Sequence, residues 1–365
     1  FGMNSKEVAL CNLAYGTRIL AQPDSWDKLA QFETARELPT DDSWLQRARS
    51  ANLLVAPGDP PPDFILRLRA QLDAFLAKYQ QTMAGASHLD LLDKAEELFR
   101  RHHMPKGLPS QGVGPLMHKP ERLVDFLFDH TRAFLTHDLD QDREGVDVRL
   151  AQQFSERPAM KLRYEQQFCT PRTTQLRSQR IRQSLEPGSR VLVLGDDDLV
   201  SLALIAEPGD FQVDVLELDA DLVAFLKEKG GERLTVLEHN LRHGVPESMR
   251  DAYDVVTTDP PYAAEGMRFF LKCAQASLVK KPGSRLFLST FPGLIESPDE
   301  LWADLKQLGL TIENRSDHFS RYIYNNSYRV EHLAALRHLG CPLHPTTELL
   351  GFPYLYAHFF ECSIG

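Results

Sequence analysis

The stretch VLVLGDDDLVSLAL, from Val191 to Leu204, decides the fold. Its apolar run predicts a buried strand, Gly195 predicts a tight turn, and LVSLAL predicts the start of a helix. A strand, a glycine turn and a helix in this order are typical of nucleotide-binding α/β folds. Three consecutive carboxylates, Asp196, Asp197 and Asp198, stand where further glycines are expected. The sequence therefore predicts a nucleotide-type loop that carries negative charge.

Strand-like and helix-like segments alternate from about residue 160 onward. The strand-like runs are RVLVLG (190–195), FQVDVLELD (211–219), LTVLEHN (234–240), YDVVTTD (253–259) and RLFLST (285–290). The segments LVSLALIA, ADLVAFLKEKG, AEGMRFFLKCAQASLV and PDELWADLKQLG separate them as helices. This alternation predicts a doubly wound, mostly parallel sheet. The aromatic tail YLYAHFFECS predicts a further strand, antiparallel at one edge of that sheet.

The N-terminal part of the chain has a different pattern. Apolar residues recur at helical spacing in PDFILRLRAQLDAFLAKY, HLDLLDKAEELFRRHH and HKPERLVDFLFDHTRAFLTH. These segments predict a mostly helical N-terminal domain over residues 1–150, whose role the sequence does not indicate. The charged stretch from Asp138 to Asp147 is a candidate linker, and residues 160–365 form the predicted catalytic domain.

Composition narrows the class of protein. A length of 365 residues favours about two domains, and a net charge of −10 argues against a nucleic-acid partner. The apolar runs are shorter than the roughly 18 residues of a membrane helix and no leader is recognisable, so we expect a cytoplasmic protein without membrane contact. Five cysteines without a CxxC pair predict neither disulfides nor a bound metal. A homodimer stays open.

Ligands of doubly wound folds bind beyond the carboxyl ends of the strands. Gly195 and Asp196 end the first strand, and Glu217 ends the second, where an acid can accept hydrogen bonds from both ribose hydroxyls. Asn240 and Leu241 follow the third strand, where Asn240 either faces an adenine edge or only forms a turn. An acidic ribose site without a GxGxxG loop favours a nucleoside such as an S-adenosyl sulfonium compound. The predicted fold is thus α/β and Rossmann-like, of the class I S-adenosylmethionine-dependent transferase type.

The fourth strand ends in DPPY, Asp259 to Tyr262. Two prolines, Pro260 and Pro261, restrict the backbone after the acid. Asp259 and the neighbouring carbonyls are then presented to the site, with Tyr262 as an aromatic wall. This arrangement suits an amine nitrogen held in line with an electrophilic carbon.

The three aspartates indicate which ligand charge the loop accepts. Adjacent carboxylates repel one another and raise one another's pKa, so a counter-cation is expected. An amine that attacks a sulfonium must be neutral, and a polyamine nitrogen has a pKa of roughly 10, so a carboxylate must take its proton. The carboxylate of S-adenosylmethionine would be repelled here, whereas the ammonium tail of decarboxylated S-adenosylmethionine would be attracted. Charge therefore favours the decarboxylated donor, with S-adenosylmethionine as the alternative.

Four segments together resemble the branched-chain polyamine synthases, the bis-aminopropyl-spermidine synthases. They are GDDDLVSLAL, LELD, DPPY and, ahead of the sheet, RYEQQFCTPRTT (163–174). The resemblance runs from about residue 160 to the end of the chain. It implies transfer of an aminopropyl group from decarboxylated S-adenosylmethionine to a polyamine or other amine, with release of methylthioadenosine. The chain departs from the family pattern at Glu165, Asn240 and Tyr262.

The resemblance also implies roles for individual residues. Asp197 would accept the proton between amine and sulfonium, with Asp198 and Asp259 as the other catalytic carboxylates. The donor-binding residues would be Gly195, Asp196, Glu217, Asn240 and Leu241. The acceptor-binding residues would be Tyr164, Glu165, Pro260, Pro261 and Tyr262, and Asp196, Asp198 and Glu165 would hold the cationic chains.

Three other functions stay open at this point. DPPY also suits an amino-group methyltransferase that uses S-adenosylmethionine itself and acts on nucleic acid. An aminocarboxypropyl transferase, as in metallophore synthesis, would differ only in its donor. A non-catalytic polyamine-binding protein would bind the amine without turnover.

Overall fold

The structure is a computed structural model that describes residues 3–4, 7–12, 17–21, 86–103, 120–136, 145–293, 295, 298–323 and 354–364. The chain divides into two compact units, residues 1–136 with 324–353 and residues 137–323 with 354–365. The predicted helix over residues 62–79 and most of the predicted linker lie outside the described residues. The predicted domain boundaries, 1–150 and 160–365, stay a prediction.

The described part of the first unit contains a small antiparallel sheet and two helices. The strands are β1 (Met3–Asn4), β2 (Glu7–Asn12) and β3 (Thr17–Ala21), and the helices are α1 (His88–His103) and α2 (Pro120–Thr136). Both helices were predicted from their spacing and are confirmed, whereas the short strands were not predicted. Phe99 and Phe128 meet edge to face with 5.7 Å between ring centroids, so the apolar faces of the two helices pack together.

The second unit alternates strands and helices as predicted. In chain order its elements are α3 (Val148–Glu156), α4 (Pro171–Arg182), β4 (Ser189–Leu194), α5 (Val200–Ala206), β5 (Phe211–Glu217), α6 (Ala220–Lys229), β6 (Leu234–Glu238), β7 (Val255–Thr258), α7 (Ala264–Ser277), β8 (Arg285–Thr290), α8 (Pro298–Gln307), β9 (Leu310–Ile323) and β10 (Tyr354–Ile364). Short 3₁₀ turns lie at Leu162–Tyr164, Leu241–His243 and Glu247–Met249.

The strands form one seven-stranded sheet in the order β6-β5-β4-β7-β8-β10-β9. The strands from β6 to β8 are parallel, and β10 is antiparallel to both β8 and β9. The direction of the chain across the sheet reverses between β4 and β7, because β5 and β6 lie on one side of β4 and the later strands on the other. This reversal places the ends of β4 and β7 side by side, which is where doubly wound sheets bind ligands.

Each face of the sheet has its own apolar core. Along β4, Val191 and Val193 lie in one cluster while Leu192 and Leu194 lie in the other. Successive side chains of a strand point to opposite faces, so an apolar run without alternation predicts burial on both sides. The run VLVL is therefore the central strand of a covered sheet.

The tail strand β10 differs from its predicted position. It is antiparallel, as expected, but it lies between β8 and β9, and β9 takes the edge. We did not predict β9, because most of its side chains before Ser320 are partly or fully exposed and polar, and an edge strand needs no apolar alternation. Apart from Leu310 at its start, only the end of β9, Ser320 to Tyr322, is buried. That end brings polar side chains into the site described below.

Within the described residues, no helix is both long and apolar enough to cross a bilayer.

Candidate active site at the carboxyl ends of the strands

The acids predicted from the sequence follow three strand ends. Gly195 to Asp198 follow β4, Glu217 ends β5, and Asp259 follows β7. Gly195 has a φ of +70°, a left-handed conformation that costs other residues about 1–2 kcal/mol, so glycine is needed at this turn. Because β5, β4 and β7 are neighbours in the sheet, these residues meet at one edge.

Asp196 is turned into the protein. Its carboxylate accepts hydrogen bonds from the amide of Ser201, at 3.3 Å, and from the hydroxyl of Ser201, at 2.5 Å. It thereby binds the first turn of α5, where amide groups lack partners within the helix. Burial, together with the charge of Glu217, raises the pKa of Asp196 to about 8 although the bonds from Ser201 oppose this. In this structure Asp196 stabilises the helix start.

The carboxylate of Asp198 also has its hydrogen-bond and ion-pair partners within the protein. Its Oδ1 accepts from the amide of Cys169 at 2.7 Å, and its Oδ2 lies 2.8 Å from Nη1 of Arg177. The side chains of Arg177 and Asp198 are 2% and 4% exposed, so this is a buried ion pair. The counter-cation that the sequence demanded for the aspartates is, for Asp198, an arginine of the chain itself.

Arg177 joins the ends of several elements. Its Nη2 donates to Oδ2 of Asp259 at 3.0 Å and to Ser289 of β8 at 2.6 Å, and it also contacts the hydroxyl of Tyr322. Its Nε donates to Ser320 of β9 at 3.1 Å. One guanidinium therefore holds the loops after β4 and β7 together with two further strands.

The helix that carries Arg177 is fixed by its first turn. Thr170 is the N-cap of α4 and accepts from the amide of Thr173 at 3.2 Å, and Pro171 occupies the first turn. The buried face of α4 consists of Thr173, Thr174, Arg177, Ser178 and Ile181. We did not predict Arg177, yet its helical spacing from the TPRTT segment places it on this buried polar stripe.

Asp197 differs from its two neighbours. It is half-buried, and its carboxylate accepts only a 3.3 Å bond from the amide of Gln167 within the described residues. Arg157 donates to its carbonyl oxygen at 2.6 Å while its guanidinium stacks on Phe168. Burial and the charges of neighbouring acids, Asp198 first, raise the pKa of Asp197 well above its usual value, and Arg157 opposes this. Asp197 is therefore the aspartate of the loop with a carboxylate available to a ligand.

Glu217 is engaged by backbone amides. Its Oε2 accepts from the amide of Asp196, and its Oε1 accepts from the amides of Leu218 and Asp219, each at 2.8 Å. Burial nevertheless raises its pKa. A carboxylate has about four lone-pair positions, so three amides leave one for a ribose hydroxyl. The structure thus ties Glu217 to the aspartate loop, and its role at a ribose stays a prediction.

Asp219 is the N-cap of α6. It accepts from the amide of Asp221 at 3.0 Å and pairs with Lys161 at 2.5 Å. Burial acts to raise the pKa of Asp219, but the bonds from Lys161 and Gln166 outweigh it and lower this pKa.

The residues after β6 have local roles in the structure. The side chain of Asn240 accepts from the amide of Arg242 at 3.0 Å and so caps the 3₁₀ turn. Leu241 is buried in the apolar cluster on one face of the sheet. These contacts agree with the turn-forming alternative for Asn240, and an adenine contact of either residue stays a prediction.

The predicted acceptor residues fall into two groups. Pro260 to Tyr262 lie beside Asp259, and the first turn of α7 approaches so closely that a Cβ at Gly266 would lie 3.0 Å from Cβ of Pro261. Tyr164 and the exposed Glu165 lie in the connection between α3 and α4, where Glu165 has a φ of +56°. No hydrogen bond within the described residues joins Glu165 to the acids, so its role also stays a prediction.

A doubly wound, mostly parallel sheet with a reversal of strand order defines the Rossmann-like class of α/β proteins. The family model "Branched-chain polyamine synthase A C-terminal domain" matches residues 148–345. The chain belongs to this family, as the sequence resemblance predicted.

Curated relatives support this assignment. The chain is 31% identical over 212 residues to the N(4)-bis(aminopropyl)spermidine synthase of Thermococcus kodakarensis, covering 54% of this chain and 59% of that protein. It is 30% identical over 207 residues to the synthase of the same name from Thermus thermophilus, covering 53% and 58%. An uncharacterized protein of Methanocaldococcus jannaschii is 28% identical over 175 residues, covering 46% and 43%. The chain thus spans about half the length of the curated relatives it matches.

A solved structure agrees with the fold. The C9 mutein of the Thermus thermophilus branched-chain polyamine synthase, in complex with N4-aminopropylspermidine and 5'-methylthioadenosine, matches with a TM-score of 0.51. The match covers 87% of this chain and 90% of that chain at 21% sequence identity. At this identity the match establishes the fold.

The buried ion pair generates a stability prediction. Replacing Arg177 with methionine leaves Asp198 and Asp259 without their cation, and we expect the free energy of unfolding to fall by about 3–5 kcal/mol in urea denaturation at neutral pH. Adding Asp198→Asn to Arg177→Met should restore part of this loss. The control Arg268→Met, which removes solvent-accessible ion pairs with Glu300 and Asp304, should cost less than about 1 kcal/mol. A loss at Arg177 as small as that of the control would contradict the prediction.

The raised pKa of Asp196 generates a pH prediction. Since a pKa of about 8 in the folded protein exceeds the roughly 3.9 of an unfolded aspartate, this group contributes stability that is complete below about pH 4 and lost as pH rises through about 8. We expect Asp196→Asn to reduce the fall in melting temperature between pH 6 and pH 9 without removing it, because burial and the charge of Asp198 also raise the pKa of Asp197 well above its usual value.

Thermal unfolding across that pH range measures the effect. Asp210→Asn, an exposed aspartate at the other end of the sheet, serves as the control and should follow the wild type. Identical slopes for wild type and Asp196→Asn would show that Asp196 does not titrate in this window.

Proposed function

We propose that this protein is an aminopropyltransferase that moves an aminopropyl group from decarboxylated S-adenosylmethionine to a polyamine or related amine and releases methylthioadenosine. The observation that carries the proposal is the position of Asp197. Its carboxylate lies in a cluster of acids between the ends of β4 and β7, where the strand order reverses, and has no ion pair within the described residues. The names of the curated relatives and of the solved structure point to the same chemistry.

The charges of the site favour a cationic ligand. Four carboxyl groups, those of Asp196 to Asp198 and Asp259, lie around two arginines, Arg157 and Arg177, and Glu217 lies beside Asp196. Because Arg177 pairs with Asp198 and Asp259, the excess negative charge is concentrated near Asp197. A polyamine brings the positive charge that would stabilise the ionised form of that acid.

Asp197 is suited to accept a proton from the amine. An ammonium group has a pKa of roughly 10, whereas an ordinary aspartate has one of about 3.9, which makes the transfer unfavourable. Burial and the neighbouring acids raise the pKa of Asp197 and so narrow this gap. The amide of Gln167 and the bond from Arg157 to the Asp197 carbonyl hold the residue in place.

The proposed step conserves atoms and electrons. The ammonium of the acceptor first gives a proton to the carboxylate of Asp197, which leaves a lone pair on nitrogen. This lone pair attacks the methylene carbon bonded to the sulfonium of the donor and forms the N–C bond. The C–S bond breaks, its electrons pass to sulfur, and neutral methylthioadenosine leaves while the new amine carries the positive charge.

The choice of donor is part of the proposal and depends on charge. Asp196 and Asp198 are satisfied within the protein, so Asp197 and Asp259 are the acids left to repel a donor carboxylate or attract an ammonium. Glu217 would bind the ribose through its remaining lone pair. The Nε of Arg157 is buried and has no hydrogen-bond partner among the residues that the structure describes, and it is the group that would favour a carboxylated donor instead.

Replacement of the proposed proton acceptor tests the mechanism. With decarboxylated S-adenosylmethionine and spermidine, we expect Asp197→Asn to lower the rate of methylthioadenosine formation by about 10²–10⁴-fold, because an amide cannot take the proton. Chromatography of released methylthioadenosine measures the rate, and a thermal melt checks folding. Asp210→Asn should keep the wild-type rate. A folded wild type that forms no methylthioadenosine with any amine of a panel would refute the proposed function, and a fully active Asp197→Asn would refute the role of Asp197.

Calorimetry distinguishes the donors. We expect decarboxylated S-adenosylmethionine to bind more tightly than S-adenosylmethionine, since the added carboxylate faces the acids of the site. The affinity difference should shrink in Asp197→Asn, where one repelling charge is removed. Equal or tighter binding of S-adenosylmethionine in the wild type would favour a methyltransferase or an aminocarboxypropyl transferase.

A further inference from the structure

Tyr322 is a polar residue of the site that none of the sequence motifs contains. It lies near the end of β9, is 3% exposed, and its hydroxyl donates to Oδ2 of Asp259. Burial raises the pKa of Tyr322 well above its usual value, although the charge of Arg177 acts to lower it. The phenol therefore keeps its proton at physiological pH. It is therefore a permanent hydrogen-bond donor to Asp259.

The phenol proton of Tyr322 has two acceptors of unequal strength beside it. Nη2 of Arg177 contacts the phenol oxygen, and arginine can only donate. The hydroxyl of Ser289 lies 2.8 Å from the same oxygen and can donate to it or accept from it. The carboxylate of Asp259 is the charged acceptor, and a hydrogen bond to a charged acceptor is the stronger of the two. The single proton of the phenol therefore favours Asp259 over Ser289.

Both donors to Asp259 bind the same carboxylate oxygen. Arg177 and Tyr322 contact Oδ2, whereas Oδ1 accepts no hydrogen bond from a described residue. The side chain of Asp259 is 19% exposed, so Oδ1 is the oxygen that a ligand can reach. The rigid DPP backbone and these two donors together fix the direction of that oxygen.

We propose that Tyr322 is a positioning residue that acts through Asp259: by occupying Oδ2 together with Arg177, it turns Oδ1 toward the site to bind a nitrogen of the amine acceptor. This inference rests on the proposed function for the identity of the ligand. It assigns distinct tasks to the acids, with Asp197 accepting a proton and Asp259 holding the acceptor. The loop after β7 and the end of β9 are then joined in one acceptor subsite.

The charged and titratable groups that face Asp259 determine its pH response. They are Arg177 of α4, Asp197 and Asp198 after β4, Tyr262 after β7 and Tyr322 of β9. Burial raises the pKa of Asp259 to about 6, and the bonds from Arg177 and Tyr322 keep it from rising further. Removing the phenol hydroxyl should therefore raise this pKa and protonate Asp259 at a higher pH.

The variant Tyr322→Phe tests the proposal. We expect the KM for spermidine to rise roughly tenfold, the loss of a hydrogen bond to a charged group, with a smaller change in kcat. The acid limb of kcat/KM should move to higher pH, whereas the affinity for methylthioadenosine should stay within about twofold of wild type. Tyr253→Phe is the matched control, since Tyr253 donates to Asp214 at 2.7 Å at the other end of the sheet. It should leave the KM and the acid limb unchanged.

A double-mutant cycle separates positioning from a general loss of structure. If Tyr322 acts through Asp259, then Asp259→Asn and Asp259→Asn/Tyr322→Phe should have the same KM for spermidine. If each substitution raises the KM by its own factor and the two factors multiply in the double variant, the proposal is overturned. A Tyr322→Phe variant with a lower melting temperature but an unchanged KM and an unchanged acid limb would also overturn it.

A titration without substrate keeps the test independent of the enzymatic activity. In protein labelled with ¹³C-aspartate, the carboxyl resonance of Asp259 is identified by its loss in Asp259→Asn, and its pKa should be higher in Tyr322→Phe than in wild type. If the pKa of Asp259 rises in Tyr322→Phe but the wild type releases no methylthioadenosine, the proposed function is refuted while the positioning of Asp259 by Tyr322 is supported. If Tyr322→Phe does not fold, replacing the tyrosines with 3-fluorotyrosine keeps the side chain and makes its phenol a stronger donor; the pKa of Asp259 should then fall, and no fall would overturn the proposal.

Discussion

The buried guanidinium of Arg177 is the interaction on which the site depends. Its ion pairs with Asp198 and Asp259 join the loops after β4 and β7, and its bonds to Ser289 and Ser320 fix the ends of two more strands. Burying a charge is costly unless partners surround it, and here every polar nitrogen of the side chain has one. Because Arg177 supplies positive charge here, several acids can lie close together where the strand order reverses, and their mutual repulsion does not destabilise the fold.

This arrangement changes the meaning of the GDDD loop. Three adjacent carboxylates suggest three charges offered to a ligand, but Asp196 binds the start of α5 and Asp198 belongs to Arg177. The neighbours thus support Asp197, which keeps a half-buried carboxylate and an elevated pKa. Within this loop Asp196 and Asp198 therefore stabilise the structure, whereas in the proposed function Asp197 takes part in the chemistry.

Much of the fold was predictable, because it depends on local patterns. The buried run VLVL, the spacing of the helices and the acids after the strand ends lie within short segments, and the motifs they form were sufficient for the family assignment. What sequence reasoning missed depends on contacts between distant segments. β9 carries few apolar residues because it is an edge strand, so its pattern gave no strand signal, and its contribution of Tyr322 was invisible. The buried polar stripe of α4 was a usable signal for Arg177, since helical spacing alone relates it to Thr173 and Thr174.

The sequence by itself determined which chemical groups are present at the strand ends, since a parallel sheet brings the carboxyl ends of its strands to one edge whatever the details of packing. It did not determine which of these groups face a ligand. That was decided by tertiary structure, because the state of a carboxylate depends on the donors around it, and for Asp197, Asp198 and Asp259 these include residues 21 to 82 positions away. Arg177, Gln167 and Tyr322 reach the acids only when α4, the connection before it and β9 fold onto the sheet.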